Sequence, residues 1–425
     1  MKVLWLCNIM LPSIASQLER PPSNGGGWLI SLSESINKIN DIELTVCFPM
    51  YEEKEIIKGN TDSFSYYGFP KKIVQPTKYE KNVEIHLKNI LNEVKPDIIH
   101  IWGTEYPHTL SMVNVCNSNK IIVSIQGLCS VIAKHYMANL PINIYYRNTF
   151  RDLLKRDNLA CQQKKFFQRG EFEVEAIKKI DYVMGRTTWD KANIEKINKD
   201  IEYFFCNETL RNEFYKHKWD INLCERHSIF ISQGSYPVKG LHMVLGELSS
   251  IIEEYPDTHL YIAGENIFKN NSIKDKIKLS SYSKHILKLI NDYNLHNHIT
   301  FLGNLDEKQM CLKMLQANVF VSPSSIENSP NSLGEAMLLG IPCVASCVGG
   351  VQDMLEDKKE GFIYPFDEPY MLSYYIKEIF KNDELAIKFS ENGRKHANIT
   401  HNKQRNLNRI IDIYNIINNK NRDIL

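Results

Sequence analysis

Short apolar runs alternate with helix-periodic segments along almost the whole chain, and this alternation restricts its fold more than any other feature. In the first half, residues 3–7, 44–48, 97–102 and 121–125 read as strands. Leu29, Leu32, Ile36 and Ile39 recur at helical spacing behind a loop containing Gly25, Gly26 and Gly27. The second half repeats the pattern, with strands at 228–232, 259–263, 299–302, 319–322 and 342–346 and a helix at 239–255 stopped by Pro256. Strands and helices in strict alternation imply mostly parallel sheets covered by helices on both faces. The expected fold class is α/β, with two Rossmann-like domains facing each other across a cleft. Residues 1–218 form the first and 219–398 the second, with 214–226 read as a linker. In the tail, 399–425, Leu407, Ile410, Ile411, Tyr414 and Ile417 fall at helical spacing, so a last helix is expected to pack on one of the domains, the first being the candidate.

Composition excludes several classes. The 425 residues are 43% hydrophobic and 24% charged, which argues against a disordered or coiled-coil chain. Lys and Arg number 51 against 50 Asp and Glu, so nothing global calls for a nucleic-acid partner. The ten cysteines are scattered, without a C-x-x-C pair or zinc spacing, as expected of reduced thiols in a cytosolic protein. The apolar run after Lys2 is broken at Asn8 and reads as a first strand rather than a signal peptide. No 18-residue apolar span occurs, so a membrane-crossing helix is not expected.

The most specific punctuation lies in residues 323–342. Ser329 is suited to a helix N-cap, Pro330 to the first helical position, and Gly340 followed by Ile341 and Pro342 to the stop. Glu327 then precedes the helix and Glu335 sits on its second turn. The amides of Asn331, Ser332 and Leu333 would open on the same mouth as anion donors, beside two carboxylates able to accept from sugar hydroxyls. Three further strand-to-helix junctions resemble it. Lys239 opens a helix, where the dipole disfavours a cation unless an anion is present. Gly349 and Gly350 start another, and Gly25–Gly27 a third. Taken singly, such glutamates and glycines are solvated charges and turn residues. Their recurrence at corresponding junctions favours a nucleotide-sugar site.

With these residues in place, the chain resembles the family 4 (group 1) retaining glycosyltransferases of GT-B fold. The two-glutamate motif is Glu327 and Glu335, the Lys-Gly motif Lys239-Gly240, and the Gly-Gly-x-x-Asp motif Gly349, Gly350 and Asp353. By that resemblance, Lys239 and Glu327 are catalytic, with Lys239 neutralising the leaving diphosphate and Glu327 contacting the donor sugar. Glu335 would hold the ribose. Gly26 and Gly27 would line the pyrophosphate, Gly264, Asn304 and Leu305 would edge the base and ribose, and Asn331, Ser332 and Leu333 would complete the donor site. Gly234 occupies the position where the family carries a second phosphate-binding Arg, for which Arg186 or Arg211 could substitute. The strand that often ends in an acceptor-site His ends here in Gln126, with His135 or His100 as replacements.

The resemblance implies transfer of a sugar from a nucleotide-sugar donor to a glycan or lipid-linked glycan in surface polysaccharide or glycolipid assembly, with retention. No Asp-x-Asp motif occurs, so no metal and no cofactor are expected. A nucleotide-sugar epimerase of the same fold and a non-catalytic nucleotide-sugar-binding protein are the alternatives. Residues 147–170 are basic and interleaved with Phe150, Leu153, Leu154, Phe166 and Phe167, with Arg147, Arg151 and Lys155 at i, i+4, i+8. They fit either a solvated helix face or a peripheral contact with anionic membrane. The expected location is the cytoplasm, with the inner face of the membrane as a variant.

Overall fold

The computed structural model describes residues 1–21, 26–39, 41–267 and 278–423. The chain divides into two compact units: Met1–Val131, Lys165–Leu210 and His401–Leu425 form the first, and Ile132–Lys164 and Arg211–Thr400 the second. Each is an α/β layer structure.

The first unit holds eight strands: β1 (Lys2–Leu6), β2 (Glu43–Met50), β3 (Ile57–Asn60), β4 (Ser65–Pro70), β5 (Ile98–Trp102), β6 (Ile121–Ser124), β7 (Tyr182–Gly185) and β8 (Glu202–Phe205). Their order is β3-β4-β2-β1-β5-β6-β7-β8. All neighbours are parallel except β3 and β4, which form an antiparallel hairpin. Every residue of β5 and β6 is buried, as expected of parallel strands covered on both faces. The last helix, Lys403–Asp423, belongs to this unit. Its Leu407, Ile410, Tyr414 and Ile417 are buried in the core, whereas Ile411 is only partly so. Trp5 Nε1 donates to Tyr414 Oη at 3.0 Å, which fixes the helix on β1.

The second unit holds β9 (Ser228–Ile231), β10 (His259–Ala263), β11 (Ile299–Gly303), β12 (Val319–Ser322), β13 (Cys343–Ser346) and β14 (Gly361–Tyr364). They form one parallel sheet in the order β11-β10-β9-β12-β13-β14. This is the Rossmann order, and it reverses between β9 and β12.

Three details differ from the sequence reading. Residues 214–226 are not a linker. Phe214 and Trp219 are buried, Trp219 N donates to Leu339 O at 2.8 Å, and its Nε1 donates to Ala317 O at 2.8 Å. The division therefore falls at 210/211 rather than 218/219, and residues 132–164 join the second unit. The basic stripe Arg147, Arg151, Lys155 does not share one helix. Phe150–Lys155 is a separate short helix, closed at its start by a capping box between Thr149 and Asp152.

Candidate active site

The loops after β9 and β12 flank the reversal of the second sheet, where open α/β sheets take their ligands. Gln233 Oε1 accepts from the amides of Gly234 and Ser235 at 3.0 and 3.3 Å and so shapes the loop after β9. Pro237–Lys239 makes one tight turn, and Gly240 follows at φ +71°. A Cβ on residue 240 would lie 1.7 Å from Pro323 O, so only glycine lets the two loops approach this closely.

That approach joins Lys239 to Glu327. The Lys239 ammonium donates to Glu327 Oε1, and Ser324 Oγ donates to the same oxygen at 2.7 Å. The side chains are 24% and 14% exposed, so the pair is largely buried yet open at one side. Burial works against the Lys239 charge, but the Glu327 carboxylate beside it holds its pKa above the usual lysine range. The cation near a helix start is therefore balanced by Glu327 itself, before any ligand enters. The backbone of Glu327 is fixed from β13. Gly350 N donates to Glu327 O at 3.1 Å, and Gly349 sits at φ +53° directly against that carbonyl. The paired glycines thus make room for Glu327, a role the sequence reading had given to a ligand.

The helix after Glu327 runs Asn331–Leu339. Its N-cap position is Pro330, not Ser329, and no side chain caps it. The extended ψ of 117° at Pro330 delays the helix by one residue. Leu333 N donates to Pro330 O at 3.0 Å, which removes it from the expected set of anion donors. Asn331 and Ser332 keep first-turn amides outside the intrahelical ladder. Gly340, at φ +83°, ends the helix as expected.

Glu335 is buried and gripped by Arg211, with Nε–Oε1 at 2.6 Å and Nη2–Oε2 at 2.7 Å. Burial leaves the Glu335 carboxyl above its usual range even against the pull of Arg211. Arg211 is thereby committed to Glu335 and does not stand free as the second phosphate cation. Nor does Gly234 leave space for one: a Cβ there would meet Leu241 Cδ2 at 2.8 Å and Ile262 Cγ2 at 3.1 Å, toward the apolar side of the loop.

At the ends of β10 and β11, Gly264 N donates to Gly303 O at 3.0 Å. A Cβ at 264 would stand 2.2 Å from Gln233 Oε1, so this glycine makes room for the Gln233 side chain. Asn304 is exposed and Leu305 half-buried in the turn that follows Gly303. The topology thus gathers Lys239, Gly264, Asn304, Leu305, Glu327, Asn331 and Ser332 toward the carboxyl edge of one sheet.

The acceptor-side candidates do not form one group. His135 belongs to the second unit, where its carbonyl accepts from Ser325 Oγ at 3.0 Å, two residues from Glu327. Burial, aided by Lys134, lowers its pKa. Gln126 and Arg186 belong to the first unit and converge on Glu208. Gln126 Nε2 donates to Oε1 at 2.6 Å, and Arg186 Nη1 lies 2.5 Å from Oε2. Arg186 is thus neutralised where it stands. His100 is a core residue: Nδ1 meets Tyr414 Oη and Nε2 meets Ser124 Oγ, both at 2.6 Å, and burial depresses its pKa strongly. Gly26, at φ +71°, caps the helix Gly27–Ile36 in the first unit. Gly25 lies outside the described residues.

Sequence reasoning missed Ser324, Gln233 and Glu208. Ser324 stands three residues before Glu327, a spacing that could have pointed to it. Gln233 and Glu208 carry no local signal.

Two parallel α/β units, the second with an ammonium–carboxylate pair at its strand-order reversal, define the GT-B type of glycosyltransferase fold. Residues 211–396, which lie within the second unit, match the family model "Glycosyl transferases group 1". Over 179 residues the chain is 28% identical to spore coat protein SA of Bacillus subtilis, covering 42% of this chain and 45% of that one. Over 162 residues it is 26% identical to the phosphatidyl-myo-inositol mannosyltransferase of Mycobacterium leprae, covering 38% and 39%. The chain therefore spans less than half the length of these relatives. Across nearly full length it superimposes on sucrose-phosphate synthase from Thermosynechococcus elongatus (TM-score 0.70, 14% identity, 98% and 99% covered). Anabaena HepE in complex with UDP-glucose gives a TM-score of 0.67 at 14% identity, with 97% and 99% covered.

Proposed function

We propose that this chain moves a sugar from a nucleotide-sugar donor to a glycan or lipid-linked glycan acceptor, with retention at the anomeric carbon and without a metal ion or cofactor. The contact between Lys239 and Glu327 at the sheet reversal carries the reading. It stores a phosphate-binding cation and a hydroxyl-binding carboxylate in one place, each satisfied by the other until a donor separates them. Lys239 then neutralises the diphosphate as the bond from the anomeric carbon breaks, and Glu327 accepts from sugar hydroxyls. The acceptor hydroxyl forms the new bond on the face the diphosphate leaves, and its proton passes to the departing phosphate. Charge stabilisation of this kind contributes roughly 3 kcal/mol per donor. Glu335 takes the ribose with lone pairs that Arg211 leaves open. Gly264, Asn304, Leu305, Asn331 and Ser332 line the remainder. The UDP-glucose complex of HepE supports a nucleotide-sugar donor, and the mannosyltransferase relatives support sugar transfer.

Among the described residues, no helix is long and apolar enough to cross a membrane. All ten cysteines are free thiols, in keeping with a cytoplasmic location. Ile142, Tyr146, Phe150, Leu153 and Leu154 are all exposed, beside Arg147, Lys155 and Arg156. This apolar and basic surface supports peripheral contact with anionic lipid.

The test is a screen of UDP-, GDP- and ADP-sugars for binding and for nucleoside diphosphate release with acceptor glycans. Acceptor-dependent release that disappears in Lys239→Ala and Glu327→Ala is the expected outcome. Conversion of the donor without release would replace the transferase with an epimerase, and binding without turnover would leave a binding protein.

A further inference from the structure

The carboxyl edge of the first sheet gathers a second polar group that the donor chemistry does not use. The strand order there reverses between β1 and β5. Asn8 follows β1, Tyr51 follows β2, Lys71 follows β4, and Tyr106 and His108 follow β5. Lys71 is 2% exposed, and its ammonium has no hydrogen-bond partner among the described residues. Its nitrogen stands 5.8 Å from the ring centres of both Tyr51 and Tyr106. Aromatic faces offset part of the desolvation of a cation but leave its three N–H donors without proper acceptors.

A lysine buried for structural reasons would pair with a carboxylate. The acidic group whose charge acts on Lys71 is Glu80, and both its oxygens are taken by the amides of Lys72 and Ile73, at 3.0 and 2.8 Å. A second unmatched group adjoins. His108 is 1% exposed and stacks on Tyr106 with ring centres 5.4 Å apart. Its Nε2 meets Asn8 Oδ1 at 2.7 Å, while its Nδ1 has no partner among the described residues. Burial, and then the charge of Lys71, keep this imidazole neutral, so with Nε2–H donating to Asn8 the Nδ1 is an acceptor. Tyr51, 38% exposed, forms the rim.

We infer that Lys71 and His108 form a subsite for an acidic sugar of the acceptor, Lys71 taking its oxyanion, His108 Nδ1 taking an adjacent O–H, and Tyr51 and Tyr106 facing the ring. The assignment to the acceptor rests on the transferase reading; the recognition of an acidic sugar does not. The oxyanion is a carboxylate or a phosphate monoester, and both leave a hydroxyl close by.

Calorimetric titration of the full chain in a Lys239→Ala background, which removes the donor-site cation, tests the subsite with glucuronate, glucose 6-phosphate and glucose. At least one acid should bind tenfold or more tighter than glucose, and adding Lys71→Met should remove that preference. The acid that binds more tightly identifies the source of the charge. Equal binding of all three probes, or an acid preference that survives Lys71→Met, overturns the inference. Should Lys71→Met misfold, acylation of Lys71 in the otherwise unaltered chain gives the answer: the acids must slow it at least tenfold relative to glucose, and equal rates overturn the inference. Acid binding in this background, together with no diphosphate release by the unsubstituted chain from any donor and acceptor pair, would sink the transferase reading alone.

Discussion

Gly349 is packed so tightly on the backbone of Glu327 that a Cβ at position 349 would stand 1.7 Å from the Glu327 carbonyl oxygen. The glycine pair after β13 therefore sets the position of the carboxylate that holds Lys239. Gly349→Ala should shift Glu327 and lower turnover by about 100-fold, the scale expected of a 1 Å misplacement at a reacting centre. Gly246 supplies the control. It is exposed in the helix Leu241–Glu254 with nothing within 4 Å of its missing Cβ. Gly246→Ala should leave turnover unchanged and raise stability by about 0.5–1 kcal/mol. Steady-state kinetics and urea melts of the two variants separate position from propensity.

Lys239→Ala and Glu327→Ala should each reduce diphosphate release by about 10²–10³-fold, the usual effect of removing one electrostatic donor or its positioning partner. Circular dichroism should show both variants folded, because each side chain lies at a loop with an open side. Full turnover in either variant removes that residue from the site.

Arg211 and Glu335 form a buried bidentate pair within the second unit. Arg211→Ala should cost about 3–5 kcal/mol, since it strands a buried carboxylate. In Arg211→Met/Glu335→Gln part of that loss should return, because no charge is left uncompensated. Denaturant titration of both single variants and the double measures the coupling. Strict additivity would mean that the pair contributes nothing beyond its separate parts.

His396 Nδ1 lies 2.8 Å from Glu360 Oε2, and this hydrogen bond raises the histidine pKa above 6.5. The folded state therefore binds this proton more tightly than the unfolded chain. Its stabilisation is complete below the ordinary histidine pKa and is lost as pH rises through the raised value. Melting temperature should fall modestly between about pH 6 and about pH 8, and His396→Gln should flatten that fall. The side chain is 34% exposed, so solvent screening keeps the effect small.

Exposed Leu153 and Leu154 are two of the apolar members of the proposed lipid contact. Leu153→Ser/Leu154→Ser should reduce co-sedimentation with phosphatidylglycerol vesicles several-fold without altering the melt, since neither side chain packs in a core. Absence of binding by the unsubstituted chain at both low and high salt removes the membrane from the picture.

Legibility followed the range of the interactions. The run 319–322 and the Gly340 stop are local, and both stand where the sequence put them. The hairpin β3–β4 was invisible, because its strands IKGN and SYYGFP carry glycines and little alternation. Ser329 failed as the N-cap because the backbone at Pro330 stays extended, at φ −67° and ψ 117°.

Periodicity and turn chemistry act over a few residues, so the sequence alone determined two α/β halves and their strand-to-helix junctions. Partnerships were decided only in three dimensions. Lys239 meets Glu327 across 88 residues and Arg211 meets Glu335 across 124, while Lys71 finds no acceptor among the described residues. Charge pairing depends on which strands lie side by side, and strand order follows from packing the whole unit.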